Sequence, residues 1–407
     1  MHCRICHNQT TTQFLDLGES PLANNLLTKE DLHKKELKYP LATCFCNHCK
    51  LVQLSYVVPP EKMFKHYVYV SSTTKTFREH FTKMAETISK TFQLGKGKLA
   101  VDIGSNDGLL LKGFKTQGLH VVGVEPATNL AKLANKADIF TLNEFWNAQT
   151  VRKIKETYGQ ADVITANNVF AHIDNIHDVT KNVYNLLGKD GIFVIEAAYL
   201  LDMLKDMTFD MIYHEHLCYY TLTPLIYFFR MHNMEVFDVE HVPTHGGSLR
   251  VYVKKKEGKW KIQPNVQKIL WQEYSAGIHD YPTYETFANK VYTTKEKFTT
   301  YLKQLKKEKK IIIGYGAPAK ATTILNFCQL GTETIDYIIE DNLLKVGLTV
   351  PGVRIPIKGA EALQQEKPDY AVILAWNFAE EILKKTKEHQ QAGIKFIVPF
   401  PELKTVG

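Results

Sequence analysis

Two stretches of this chain repeat one design. LAVDIGSNDGLLLKGF (99–114) and IIIGYGAPAKATTILNF (311–327) each run from an apolar strand through a glycine-containing turn into a helix. A continuous apolar strand suits a sheet covered on both faces, and a helix that follows it returns over that sheet. Each stretch therefore predicts the start of a doubly wound α/β unit. HVVGVEPA, ADVITANNVFAH (161–172) and GIFVIEAAY (191–199) supply strands after the first, and MEVFDVEHV and SLRVYVKK read as a hairpin joined through Pro243 to Gly247. IDYIIED, YAVILAW and KFIVPF supply strands after the second. An α/β chain with two sheets fits the length of 407 residues, since single cores stop growing near ~300 residues.

Ahead of both units lie Cys3-x-x-Cys6 and Cys46-x-x-Cys49. Each pair presents two thiolates from a tight knuckle, and four thiolates close a tetrahedral zinc shell. Such a shell leaves no position for water, so a structural Zn2+ is expected. Cys44, His2, His7 and His48 are near enough in sequence to compete as ligands, though Cys44 reads better as a small core residue. The expected division is a zinc-binding domain over 1–75, a central unit over 76–256 and a third unit over 257–407. The central unit opens on an amphipathic helix with Phe81, Met84, Ala85, Ile88 and Phe92 on one face. The third opens on two or three helices that end in the basic run Lys303 to Lys310, read as a solvated face. The start MHCRICHNQT has no signal-peptide core, and no apolar run approaches the ~20 residues of a membrane span. These features predict a cytoplasmic protein without a membrane partner. A net charge of +7 without an Arg-rich tail suits a phosphorylated small ligand better than nucleic acid.

The first turn, Gly104-Ser-Asn-Asp-Gly108, departs from the G-x-G-x-x-G of dinucleotide sites. Asp107 would repel a pyrophosphate but not a ligand with a sulfonium and an amino acid end, which favours S-adenosylmethionine over NAD. Glu125 follows Gly104 by 21 residues, the distance at which nucleotide-binding α/β folds place a ribose-binding carboxylate. The second turn, Gly314-Tyr-Gly316-Ala-Pro-Ala-Lys320, looks more like a phosphate cradle, with a helix starting near Pro318. Lys320 would either neutralise a phosphate there or stand in solvent. Tyr67 and Tyr69 alternate along an expected strand that runs to Thr73, and either cover a sheet or line a cleft.

The arrangement resembles the bacterial nucleotide-sugar C-methyltransferases that methylate carbon 3 of 4-keto-deoxysugars. The likeness covers essentially the whole chain. It is carried by the two Cys-x-x-Cys pairs, Tyr67-x-Tyr69-x-Ser71-Ser72, Asp102-Ile-Gly-Ser-Asn-Asp-Gly108, Ala166-Asn-Asn-Val-Phe-Ala-His172, Tyr213-His-Glu-His216, His245-Gly-Gly-Ser-Leu-Arg250 and Gly314-Tyr-Gly-Ala-Pro-Ala-Lys320. It implies a class I methyltransferase sheet in the centre and a second Rossmann-like unit at the C-terminus that helps hold a nucleotide sugar. It further implies an S-adenosylmethionine site formed by Asp102, Gly104, Asn106, Gly108, Glu125, Asn167 and Asn168. The substrate contacts it implies are Tyr67, Tyr69, Ser71, His245, Arg250, Gly316 and Lys320, and the candidate base is His216.

MIYHEHLCYY (211–220) gathers the groups such chemistry needs. Methylation beside a ketone requires a base for the α-hydrogen and a donor for the enolate oxygen. His216 is the expected base, Glu215 its neighbour that orients substrate or a histidine, and Tyr213 a donor to the keto oxygen. His172, at the carboxyl end of a strand, would assist proton transfer or polarise the ketone. The competing reading of the stretch is a helix N-terminus with a core histidine, and on a helix the adjacent Glu215 and His216 do not face one atom. A zinc-knuckle nucleic-acid methyltransferase and a non-catalytic scaffold are the other functional alternatives. Methylation at carbon 3 or carbon 5, the nucleotide, the sugar and the oligomeric state stay open at this level.

Overall fold

A computed structural model describes residues 2–64 and 70–407. The described chain forms three sheets. The first is antiparallel and joins β1 (Thr11–Ser20), β2 (Tyr39–Cys46), β3 (Val52–Leu54) and β9 (Cys218–Tyr219) in that order. Its last strand thus comes from the stretch just after His216, so the central part of the chain is sewn into the N-terminal sheet.

The central sheet contains β4 (Leu99–Ile103), β5 (His120–Val124), β6 (Thr141–Leu142), β7 (Ala161–Asn167), β8 (Leu187–Ala198), β10 (Met234–Val242) and β11 (Ser248–Lys255). Their order is β10-β11-β8-β7-β4-β5-β6, with β11 antiparallel to both its neighbours and the remaining pairs parallel. Every residue of β4 is buried, as expected for a strand covered by helices on both faces. The helix Lys75–Thr91 covers one face with Phe81, Met84, Ala85 and Ile88, and Phe92 at its end is buried too. The chain leaves β4 toward β5 and β6 on one side and returns to β7 on the other. That reversal puts a crevice at the carboxyl ends of β4 and β7, where doubly wound sheets bind ligands.

The third sheet repeats the plan with β12 (Ile312–Tyr315), β13 (Ile338–Ile339), β14 (Ile357–Lys358), β15 (Tyr370–Ile373), β16 (Lys395–Val398) and β17 (Lys404–Val406). The order is β14-β13-β12-β15-β16-β17, parallel up to the final antiparallel pair. Its reversal falls between β12 and β15.

Two local expectations need correction. Residues 71–73 form a single 3-10 turn rather than strand, because the Ser71 and Ser72 amides bond to Asn106 and Asp107 instead of a neighbouring strand. Residues 213–216 form a turn, and the next helix begins only at Leu222. The helix Pro264–Ser275, which opens the third unit, reaches the central one: buried Glu273 accepts from the amides of Leu222 and Thr223 and from the Thr223 and Tyr199 hydroxyls.

The sulfurs of Cys3, Cys6, Cys46 and Cys49 lie within 4.8 Å of one another. The Cys3–Cys49 and Cys6–Cys46 separations of 3.4 and 3.6 Å are close to the ~3.8 Å edge of a tetrahedron with zinc–sulfur bonds of ~2.3 Å. This closed four-thiolate set is the zinc site. Cys44 lies outside it as a buried residue of β2. The central unit supports the first knuckle, since His177 Nε2 donates to the carbonyls of Ile5 (2.9 Å) and Arg4 (3.1 Å). Replacement of one ligand should therefore damage the fold before the chemistry. Cys46→Ser is expected to lose its zinc and its hydrogen-exchange protection across β1–β3. A zinc-free variant with wild-type protection would contradict that role.

Candidate active site

The turn after β4 is built around one carboxylate. Glu125, at the end of β5, accepts from the Asn106 amide through Oε2 and from the Ala127 amide through Oε1, both at 2.8 Å. One side chain thus joins the glycine turn to the loop of the next strand. Burial raises the Glu125 pKa. Asp102, fully enclosed in β4, is pushed up to about 7 by burial, against a hydrogen bond from Thr165 Oγ1 at 2.5 Å. Gly104 has φ +66°, and a Cβ there would lie 2.7 Å from Val169 Cγ2. Only glycine lets that turn pack against the loop after β7. Gly108, with φ +80°, caps the helix Leu109–Thr116. Asn167 ends β7, and Asn168 follows in the left-handed region, its amide bonded to the Glu196 carbonyl. The structure brings Asp102, Gly104, Asn106, Gly108, Glu125, Asn167 and Asn168 to one crevice, and Ser71 crosses it by donating its amide to Asn106 Oδ1 (3.0 Å).

The proton-transfer groups gather beside this crevice. His216 Nδ1 lies 2.7 Å from the Met211 carbonyl oxygen. A carbonyl only accepts, so Nδ1 carries the hydrogen and neutral His216 keeps its lone pair on Nε2. Its ring is 4.1 Å from that of Tyr213 and 5.0 Å from that of His172. The Ala171 carbonyl accepts from the Leu217 amide (2.8 Å), which ties the two histidine loops together. Glu215 is buried and accepts from Asn24 Nδ2 at 2.6 Å. His214 points elsewhere: it is buried, donates through Nε2 to the Pro40 carbonyl and stands edge-on to Tyr39.

The third unit repeats the carboxylate clasp. Glu340, at the end of β13, accepts from the Ala317 amide through Oε2 (2.8 Å) and from the Asn342 amide through Oε1 (3.0 Å). Gly316 has φ +85° in this turn, and Lys345 Nζ donates to the Ala317 carbonyl. Lys320 is not solvated. It is buried, 2.6 Å from Asn377 Oδ1, 3.7 Å from Asp210 Oδ2 and 4.6 Å from the centre of the Trp376 ring. Arg250 is also buried, with Nε and Nη2 on Glu196 and Nη1 on Glu240. Tyr67 and Tyr69 lie outside the described residues, as does the side chain of His245.

Residues 243–401 match the family model described as C-methyltransferase C-terminal domain. Residues 3–64 match a zinc binding domain and residues 77–238 a methyltransferase domain. C-methyltransferase NovU of Streptomyces niveus is 36% identical over 404 residues, which cover 99% of this chain and 96% of NovU. The chain belongs to the C-methyltransferase family. Ubiquinone biosynthesis O-methyltransferase of Glaesserella parasuis matches more locally, at 29% identity over 25% of this chain and 45% of its own length. Among solved structures, the plantazolicin methyltransferase BpumL with SAH is 14% identical over 46% of this chain and 91% of its own (TM-score 0.34). The magnesium protoporphyrin IX methyltransferase of Synechocystis PCC 6803 with SAH is 11% identical over 43% and 81% (TM-score 0.34).

C-methyltransferases of this family use S-adenosylmethionine, and the residues present fit it. Both side-chain polar atoms of Asn167 are buried without a partner, and so is Asp107 Oδ1. Buried polar atoms of this kind are normally satisfied, and a ligand with an amino acid end and ribose hydroxyls offers both donors and acceptors.

Several of these groups were not singled out from the sequence. Asn24 is remote from everything it touches, and nothing local marks it. Glu340 had a readable signal: an acidic residue ends the second strand after a glycine turn, as Glu125 does. Asp210 and Glu196 are buried carboxylates whose partners come from distant segments.

An unpaired buried amide destabilises the free protein by ~1–3 kcal/mol. Asn167→Ala should accordingly leave the thermal midpoint of the free enzyme unchanged or higher, while weakening S-adenosylmethionine about tenfold or more by calorimetry. A lower midpoint with unchanged affinity would assign this amide to the fold instead.

Proposed function

We propose that this C-methyltransferase acts on a nucleotide-linked 4-keto-deoxysugar, at C-3 beside the ketone, with His216 as the base. The observation that carries the reading is the 2.7 Å contact from His216 Nδ1 to the Met211 carbonyl. It fixes the hydrogen of a neutral imidazole on Nδ1 and leaves the lone pair on Nε2, the form that removal of a carbon-bound proton requires. The resemblance carried by the chain's motifs supports the sugar class. The second glycine turn, with its Glu340 clasp, supports a nucleotide end held apart from the cofactor.

In this reading His216 Nε2 takes the α-hydrogen, and the electron pair of that bond moves onto the keto oxygen. Tyr213 donates to the developing oxyanion, and His172 stands where it can polarise the same oxygen. Glu215, fixed by Asn24, orients the sugar. Ser71 closes the cofactor crevice, Asn106, Asn167 and Asn168 line it, and Glu125 accepts from ribose hydroxyls. When bound, S-adenosylmethionine supplies an already activated methyl group. Around the third turn, Gly316 lets the backbone approach the diphosphate, Lys345 supplies positive charge nearby, and Glu340 serves the nucleoside as Glu125 serves the cofactor. The partner is a small molecule rather than nucleic acid. Among the described residues no helix is long and apolar enough to cross a membrane.

Incubation with a panel of nucleotide 4-keto-sugars and methyl-labelled S-adenosylmethionine should place the label on C-3 by NMR. Label on C-5 would keep the chemistry and move the position, and labelled nucleic acid with unlabelled sugar would overturn the substrate class. His216→Asn should still bind S-adenosylmethionine but lose at least ~100-fold in turnover, the span of general-base contributions. It should also stop exchanging the sugar α-hydrogen with deuterated solvent. Near-normal turnover would remove His216 from this role.

A further inference from the structure

One face of the helix Ala319–Cys328 is committed to the backbone just ahead of the catalytic turn. Lys320, Thr323 and Phe327 recur at i, i+3 and i+7, which places them on a single stripe. Lys320 pairs with Asp210, Thr323 Oγ1 donates to the Ile212 carbonyl at 3.3 Å, and Phe327 meets Phe209 edge-on at 5.7 Å. The same helix reaches the other support of that turn, since Thr322 Oγ1 donates to the Ala23 carbonyl (2.9 Å), next to the Asn24 that holds Glu215. Asp210 has no exposed surface, its Oδ2 accepts from Trp376 Nε1 at 2.6 Å, and its Oδ1 has no partner. Lys320 supplies the positive charge next to this enclosed carboxylate. Directly after Asp210 comes Met211, whose carbonyl accepts from His216 Nδ1.

We propose that Lys320 is a positioning residue for the base: with Asp210 it fixes the 209–212 backbone so that the Met211 carbonyl holds His216 with its proton on Nδ1. The proposal rests on the reading of His216 as the base but not on the identity of the sugar. It replaces the expectation of a phosphate ligand, because Lys320 Nζ is enclosed by Asn377, Asp210 and the Trp376 ring. Removal of one member of a buried ion pair leaves the other charge stranded, whereas removal of both is far milder. That asymmetry separates the two roles. A stranded Asp210 would disturb the turn, and neutralisation of both residues would spare it. A lost phosphate contact would not be repaired by a change at Asp210.

The test compares wild type, Lys320→Met and the double variant Lys320→Met/Asp210→Asn, each labelled with 15N-histidine. The His216 ring signals are assigned by their loss in His216→Asn, and S-adenosylmethionine calorimetry serves as the control for folding. Wild type should show neutral His216 protonated on Nδ1. In Lys320→Met that proton should be shared with Nε2, and turnover should fall about tenfold or more with KM for the sugar nucleotide within about threefold, the pattern of a lost transition-state effect. The double variant should recover most of both changes. An unaltered His216 tautomer in a Lys320→Met protein that binds S-adenosylmethionine normally would overturn the proposal. So would a raised KM at constant kcat, which would return Lys320 to the phosphate. If Lys320→Met does not fold, Lys320→Gln decides: a His216 proton shared with Nε2 and a lowered kcat at unchanged KM support the positioning role, and a raised KM at constant kcat overturns it. If wild type methylates none of the sugar nucleotides, the functional reading falls while the His216 spectrum still decides this inference.

Discussion

A neutral imidazole has one nitrogen that donates and one that accepts, and a single carbonyl decides which is which in His216. Because the Met211 oxygen takes the Nδ1 hydrogen, Nε2 is left as the basic atom. The geometry around that contact is set from three directions. β9 pulls the residues after His216 into the N-terminal sheet by pairing with β3. Asn24, also from the N-terminal part, holds Glu215. The helix Ala319–Cys328 holds the backbone before Tyr213. A short turn has little intrinsic rigidity, so its precision has to come from the elements that grip it.

The same economy appears in the two glycine turns. In each, one carboxylate at the end of the second strand binds two backbone amides, one from the turn and one from the loop that follows the carboxylate. Each carboxylate oxygen has a further lone pair, so the clasp leaves acceptor capacity toward a sugar hydroxyl. The turns differ in what surrounds them. Asp107 stands beside the first, with an oxygen that lacks a partner. Lys345 stands beside the second and donates to its backbone. An acidic turn suits a ligand with a cationic sulfur and amine, and a basic one suits a diphosphate. In the proposed reading, one fold used twice would separate cofactor from nucleotide by local charge.

The sheets and the zinc ligands were legible because they are local or periodic. β4 is an unbroken apolar run, the helix Lys75–Thr91 repeats its apolar face every three or four residues, and thiolates in Cys-x-x-Cys pairs have few other uses in a chain of this kind. The candidate site residues stood out as motifs, but their settings did not. Tyr213 to His216 can be read as the start of a helix; tertiary pairing of β9 with β3 overrides that by requiring extended backbone two residues later. The alternation of Tyr67 and Tyr69 reads as a strand that runs on to Thr73, yet the amides of Ser71 and Ser72 have partners in the Asn106 and Asp107 side chains and so need no strand neighbour. Lys320 occupies a position typical of a phosphate ligand, and only the fold shows Asp210, from a different sheet unit, beside it.

Buried charge at that junction runs against simple stability. Burial lowers the pKa of Lys320 and raises that of Asp210, so each group resists the charged state that makes the pair attractive. A hydrophobic pair of the same volume would often hold two units together as well or better. What a hydrophobic pair lacks is direction. Asp210 accepts from Trp376 Nε1, a directed bond that an asparagine there would keep, which leaves its backbone, and that of Met211 next to it, little freedom of rotation. Removal of a carbon-bound proton tolerates small errors in approach poorly. A junction selected for orientation rather than for stability is what such a reaction would require.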